Sequence, residues 1–187
     1  MKVLIIYTHP SVKSYNHGLL EAFVNGLKQG GHEYELVDLY QDNFNPVLAD
    51  TNPHAELGDD VKAYQEKIKS ADVLTFIYPT FWYRAPAMLE GFIDRVITSG
   101  FAYKYVGGRP KGLLGDKKAV VIETYGGPSW YYRFLFHQIP WRRFKAVIKF
   151  CGIKKITHQP CYKVPFTTDG VRKKYLEKVR KIGEGLK

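Results

Sequence analysis

At 187 residues, 45% hydrophobic and 25% charged, the chain is long enough to bury a sizeable core and has the composition of an ordered globular protein. Its lysines and arginines give a formal net charge of +10 but are spread over several predicted helices, which argues against nucleic acid as a partner and for a basic surface that attracts a small anion. No apolar run reaches the length of a membrane span and the first residues lack a signal-peptide pattern, so the sequence reads as a soluble, cytoplasmic protein without membrane insertion.

The chain opens on Val3-Leu4-Ile5-Ile6-Tyr7, an uninterrupted apolar run of the kind buried on both faces of a parallel sheet. A polar loop follows from Thr8 to Asn16. Then Leu19, Leu20, Phe23, Val24 and Leu27 recur at helical spacing until Gly30-Gly31 stops the helix. Strand, loop and helix in this order make the nucleotide-binding opening of an open α/β sheet. The loop has no glycine, which excludes both a G-x-G-x-x-G fingerprint and a P-loop. A phosphate here would meet Ser11, Ser14, Asn16 and the free N–H groups of the helix start, with His9 beside them. The bland alternative is that Ser14 or Asn16 merely caps the helix.

Residues 32–39 read as a second strand, partly alternating and so nearer an edge. Residues 40–56, rich in Asn, Asp and Pro, read as a loop. A helix from Asp59 or Asp60 to Ser70 buries Val61, Tyr64 and Ile68. Residues 72–78 form a third, almost wholly apolar strand that ends at Pro79. After the loop Pro79-Thr80-Phe81-Trp82-Tyr83-Arg84, a helix begins with Pro86 in its first turn, buries Leu89, Phe92, Ile93, Val96 and Ile97, and ends at Gly100. Residues 101–116 have no clear period and are expected to be a loop excursion.

Lys118 to Thr124 is the fourth strand, closing on Tyr125-Gly126-Gly127. The aromatic stretch 128–137 has no clean helical stripe. A helix from Pro140 places Trp141, Phe144, Val147, Ile148 and Cys151 on one face. Residues 155–164 carry the fifth strand, and Asp169 caps a terminal helix. Cys151 and Cys161 lack metal-ligand spacing and suit buried apolar positions, so no metal site is expected. Five strands alternating with helices predict an α/β fold, a doubly wound parallel sheet in one domain over residues 1–187.

In such a sheet, ligands bind outside the carboxyl ends of the strands, where strand order reverses. The loops after strands one, three and four then meet. The first offers phosphate ligands. The second offers Trp82 and Tyr83 as a flat apolar wall, and the third offers Gly126 and Gly127, whose backbone a ligand can approach closely. Together they describe a pocket for a flavin mononucleotide unit.

Here the chain resembles the NAD(P)H:quinone oxidoreductases of the flavodoxin-like superfamily, the DT-diaphorase-like group that includes modulators of drug activity and potassium-efflux ancillary reductases. The matching pieces run in order along nearly the whole chain: His9-Pro10 and Ser14-Tyr15-Asn16, Asp38-Leu39-Tyr40, Asn43-Phe44-Asn45-Pro46, Ala71-Asp72, Pro79 with Trp82-Tyr83, Pro86-Ala87, Asp94-Arg95-Val96, Gly100 to Tyr105, Thr124 with Gly126-Gly127, and Phe150-Cys151-Gly152. The resemblance implies strand order 2-1-3-4-5. It also implies flavin phosphates on Ser14, Tyr15 and Asn16, isoalloxazine contacts from Thr80, Phe81, Trp82 and Tyr83, and pyrimidine-end contacts from Thr124, Tyr125, Gly126 and Gly127. Tyr103 and Tyr105 correspond to a pair that borders the substrate site across a dimer interface. Tyr131 and His137 have the six-residue spacing of the family's Tyr and His near the flavin O2. Phe81 and Tyr125 depart from the family, standing where a polar and a small residue are usual.

The activity implied is ping-pong hydride transfer from NAD(P)H through flavin N5 to a quinone, by a homodimer carrying FAD, with FMN the alternative. Tyr131 and His137 are the catalytic candidates, as donors toward charge that develops on reduction. The competing readings are a non-enzymatic electron-transfer flavodoxin, which the basic charge and extra aromatic loops disfavour, and a regulatory ancillary subunit, which is compatible with activity.

Overall fold

The computed structural model describes residues 1–51 and 56–187. In chain order the elements are β1 (Lys2–Tyr7), α1 (Tyr15–Gln29), β2 (Glu33–Asp38), α2 (Asp59–Ser70), β3 (Val73–Pro79), α3 (Ala87–Val96), β4 (Tyr103–Val106), β5 (Arg109–Gly112) and β6 (Lys118–Thr124). A π-helical turn (Tyr131–Leu135), α4 (Ile139–Phe150), β7 (Lys155–Cys161), a short 3-10 turn (Val164–Phe166) and α5 (Asp169–Glu184) complete it. Five parallel strands form one sheet in the order β2-β1-β3-β6-β7. With the β4–β5 pair set aside, that is the expected 2-1-3-4-5.

The apolar runs of β1, β3 and β6 follow from burial on both sides. Leu4, Ile6, Leu74, Phe76, Ala119 and Val121 pack with residues of α2, α3 and α4. Their alternates Val3, Ile5, Val73, Ile77, Val120 and Ile122 pack with Leu19, Leu20 and Phe23 of α1 and Val179 of α5. A strand covered on both faces has no solvent-facing side, so its run is almost wholly apolar, with Thr75 and Glu123 among the buried exceptions. Edge strand β2 leaves Tyr34 and Leu36 exposed, which is why its pattern is mixed.

The main departure lies in residues 101–116, where an antiparallel hairpin replaces the expected excursion. Gly107 and Gly108, with φ of 57° and 74°, make the tight turn between β4 and β5, and Tyr103 pairs with Gly112. The strands are too short and too charged for their alternation to show. The smaller departures are at element ends. The α3 helix stops at Val96, Thr168 rather than Asp169 caps α5, and β7 ends at Cys161. Both cysteines are buried and free. Of the expected loop 40–56, residues 52–55 lie outside the described residues.

Candidate cofactor site

Strand order reverses between β1 and β3, so the crevice of the fold lies beyond their carboxyl ends. The loops there are fastened to one another by side chains. Asn16 Nδ2, in the first turn of α1, donates to Thr124 Oγ1 at the end of β6 (3.1 Å). Thr80 Oγ1, just past β3, donates to Glu123 Oε1 (2.7 Å), and its backbone N–H donates to the Thr124 carbonyl (2.8 Å). The Tyr83 and Tyr131 hydroxyls share a hydrogen bond of 2.7 Å. All three predicted loops are therefore brought together.

The first loop is held largely by its own polar groups. His9 Nδ1 lies 3.0 Å from the Ser11 nitrogen and 3.1 Å from the Ser11 carbonyl oxygen, and Ser11 Oγ accepts the Lys13 N–H (3.2 Å). Burial pushes His9 below its ordinary value. Ser14 takes the capping role, its Oγ accepting the His17 N–H (3.1 Å). Two of the predicted phosphate ligands turn their side chains inward: Asn16 to Thr124, and Tyr15, whose hydroxyl donates to the Arg172 carbonyl (2.7 Å). What faces outward is the helix start itself, with no acidic residue in its first turn, beside Ser11 and Lys13.

The second loop is a tight turn. Phe81 and Arg84 exchange backbone hydrogen bonds (2.9 and 3.0 Å), and the residues between them, Trp82 and Tyr83, have φ of 49° and 60°. Two consecutive non-glycine residues in the left-handed region store strain of the kind that collects at ligand sites. The result is display. Trp82 is 88% exposed, and Phe81 is half exposed beside it. Tyr83 is held by Tyr131 and by stacking on Phe136, ring centroids 4.6 Å apart. Its phenol is pushed up to about 12, first by the bond to Tyr131, so it stays a neutral hydrogen-bonding group.

In the third loop Gly126 is exposed, and nothing among the described residues lies within 4 Å of where a Cβ there would stand. Its φ lies outside the left-handed region, so the chain itself gives no reason for glycine. Tyr125 does not face the crevice. Its ring is 3% exposed, stacked on Tyr162 (4.8 Å), and its hydroxyl donates to buried Glu123 Oε2 (2.5 Å). Tyr131 opens the π-helical turn with its hydroxyl over the second loop. His137 is exposed, with φ of 46°.

Tyr103 and Tyr105 lie at the other end of the molecule. Their hairpin follows α3, which runs back from the crevice, and the Leu114 N–H donates to the Cys151 carbonyl just before β7 begins (2.8 Å). Tyr103 packs on Phe150, ring centroids 4.8 Å apart. Within one chain the pair is not part of this site.

Sequence reasoning missed Glu123 and His158, which meet beneath the second and third loops (Oε2 to Nε2, 3.2 Å). The signal was a lone carboxylate closing the apolar run Ala119-Val120-Val121-Ile122. Among the described residues no cluster of His, Cys, Asp or Glu could hold a metal, and no helix is long and apolar enough to cross a membrane.

A parallel sheet wound in this order, with its ligand loops fastened together at the switch point, defines a flavodoxin-like protein. A family model described as flavodoxin-like fold matches residues 1–182, and the chain belongs to that family. Among curated relatives, NAD(P)H dehydrogenase [quinone] 1 of Rattus norvegicus is 30% identical over 202 residues, covering 94% of this chain and 74% of that protein. The crystal structure of Smu.1420 from Streptococcus mutans superposes with a TM-score of 0.91 at 33% identity, each chain covered in full (100%). The structure of NAD(P)H:quinone oxidoreductase from Methanothermobacter marburgensis gives 0.87, also at 33%, covering 100% of this chain and 99% of that one.

Proposed function

We propose that the protein is a flavin-dependent NAD(P)H:quinone oxidoreductase. The observation that carries this is the pairing of Trp82, 88% exposed on a strained turn, with the open space at Gly126. A wide aromatic face and a bare stretch of backbone border one crevice, and a helix start free of acidic residues lies beside them. The relatives named above supply the class of reaction.

A bound flavin supplies two-electron chemistry, accepting from NAD(P)H and donating to a quinone, with the two substrates using the same place in turn. The chain's own residues position and stabilise. The first-turn N–H groups of α1 that the Ser14 cap leaves free, with Ser11 and Lys13, would hold the phosphate. Thr80, Phe81, Trp82 and Tyr83, following Pro79 at the end of β3, would line the ring. The Gly126 N–H and the Tyr131 hydroxyl would face the pyrimidine end, where negative charge collects on reduction, while the Gly127 N–H is directed at the Tyr132 phenol. His137, exposed just past the same turn, would be the second donor toward that charge.

Tyr103 and Tyr105 serve the site from a second copy, as the resemblance implies. A homodimer would also cover Trp130, Phe134, Leu135 and Ile139, which stand 55%, 74%, 59% and 46% exposed. FAD and FMN share the unit these loops would hold. Heating the purified protein and identifying the released chromophore by chromatography tests the reading and separates the two. A colourless protein that neither takes up added flavin nor oxidises NAD(P)H with a quinone present would overturn it.

A further inference from the structure

Among the described residues, Glu123 is the one acidic side chain fully buried, 0% exposed. It closes β6 on the face toward α4, and both its oxygens are engaged. Oε1 accepts from Thr80 Oγ1 (2.7 Å), while Oε2 accepts from the Tyr125 hydroxyl (2.5 Å) and lies 3.2 Å from His158 Nε2. The His158 ring lies flat on Trp141, centroids 3.8 Å apart at 8°, which fixes the imidazole against the carboxylate. A buried carboxylate is costly to keep, and hydrophobic residues of similar volume would stabilise a strand end at least as well. Its partners indicate what it does. One belongs to the second cofactor loop and one to the third.

Tyr125 is the sensitive partner. It adjoins Gly126, beside which the crevice is open. A ring at this position can lie beneath the loop, as observed against Tyr132 and Tyr162 (4.6 and 4.8 Å), or swing into the open space. We infer that Glu123 is a positioning residue for the cofactor. It holds the Tyr125 ring down and Thr80 beside it, so that both loops keep their spacing and the crevice stays clear. This rests on the flavin reading above and extends it to a residue that touches no ligand.

The test is titration of the apoprotein with free FMN and with FAD, read by quenching of flavin fluorescence. The visible circular dichroism of the bound flavin and the melting temperature of the apoprotein are recorded in parallel. In Glu123→Gln, Oε1 still accepts from Thr80, but the amide cannot accept from Tyr125. The flavin dissociation constant should rise about tenfold, the scale of one lost hydrogen bond to a charged group, and the dichroism should change. In a Tyr125→Ala background the same substitution should change it by less than about twofold, because no ring remains to be held.

A merely structural carboxylate would lower the melting temperature while leaving flavin affinity and dichroism at wild-type values, or would weaken binding equally in both backgrounds. Either result overturns the inference. Should Glu123→Gln fail to fold, Tyr125→Phe removes the same bond from the other side at nearly constant volume, and its flavin affinity decides. If the wild-type apoprotein binds neither flavin, the functional reading itself falls and the inference with it. Binding by wild type with unchanged variants removes the inference alone.

Discussion

The two ends of the sheet are built differently. At the amino-terminal end two unusual residues answer to the chain itself. Buried Lys117 donates to the Lys69 and Ala71 carbonyls (2.9 and 2.8 Å), satisfying the last turn of α2. Gly112 of the hairpin lies so close to α4 that a Cβ would stand 2.1 Å from the Gly152 nitrogen. At the carboxyl end two unusual residues find no such partner among the described residues. Gly126 has open space around it, and Trp82 accepts a strained backbone in order to expose its ring. One end records the requirements of folding; on the reading proposed above, the other records those of a ligand.

The sharpest way to break that contrast is to give each end a methyl group. Gly112→Ala forces backbone apart and should cost about 3 kcal/mol of stability, the upper end of overpacking. Gly126→Ala should leave thermal stability within about 0.5 kcal/mol of wild type while weakening flavin binding. Denaturant unfolding of both variants measures this. Equal losses would mean that Gly126 is structural after all.

A second comparison keeps the fold and removes chemistry. Tyr131→Phe loses a hydroxyl aimed at the second loop, where it meets Tyr83 (2.7 Å), and keeps the stacked ring. Removal of one preorganised donor from a dry site costs about 2.7–4 kcal/mol; a crevice open to substrate should show about 2 kcal/mol, roughly a thirtyfold slower reduction by NAD(P)H. His137→Gln, at an exposed position, should have the smaller effect. Anaerobic stopped-flow reduction with flavin content assayed alongside is the measurement, and wild-type rates in Tyr131→Phe would move the role elsewhere.

Ser14 belongs to both ends of the argument, since it caps α1 and stands in the first loop. Ser14→Ala should cost about 1 kcal/mol of stability through the lost bond to the His17 N–H. Flavin retention should fall alongside, as the helix start frays. Retention unchanged in a measurably less stable variant would show that the phosphate is held away from this turn.

The same contrast explains what could be read from the sequence. The runs Val3 to Tyr7, Val73 to Tyr78 and Lys118 to Ile122 gave away their strands because burial on both faces leaves a one-dimensional trace. The stripe Leu19, Leu20, Phe23, Leu27 gave away α1 in the same way. The loops were legible as loops, and Gly30-Gly31 as a stop. The hairpin 103–112 was not, because its strands are four residues each and its only mark is Gly107-Gly108. The inward turns of Asn16, Tyr15 and Tyr125 were illegible for a different reason. Their partners Thr124, Arg172 and Glu123 are set by the register of Pro79 against Thr124 and by the packing of α5 on α1, which no local pattern encodes.

The smallest expected effect concerns His9 and the pH dependence of binding. Burial holds its imidazole below the usual 6.5, opposed by the Ser11 backbone contact and by Asp38, and reinforced by His17. In the apoprotein, stability tied to the neutral ring is therefore complete above about pH 6.5 and is lost as pH falls through the lower folded value. An anion at the first loop reverses the balance by favouring the imidazolium, so binding takes up a proton and affinity rises as pH falls through this window. Two unit charges about 4 Å apart in a water-like setting are worth about 1 kcal/mol, or roughly fivefold, and His9 is exposed enough that this is a ceiling. The two cofactors should then part company. The diphosphate of FAD keeps its charge below pH 6.5, whereas the monoester of FMN gains a proton near pH 6 and cancels the effect. Affinity for FAD measured between about pH 5.5 and 7.5 should therefore slope upward toward acid in the wild type and lie flat in His9→Gln. A slope that survives the substitution would place the phosphate beyond the reach of His9.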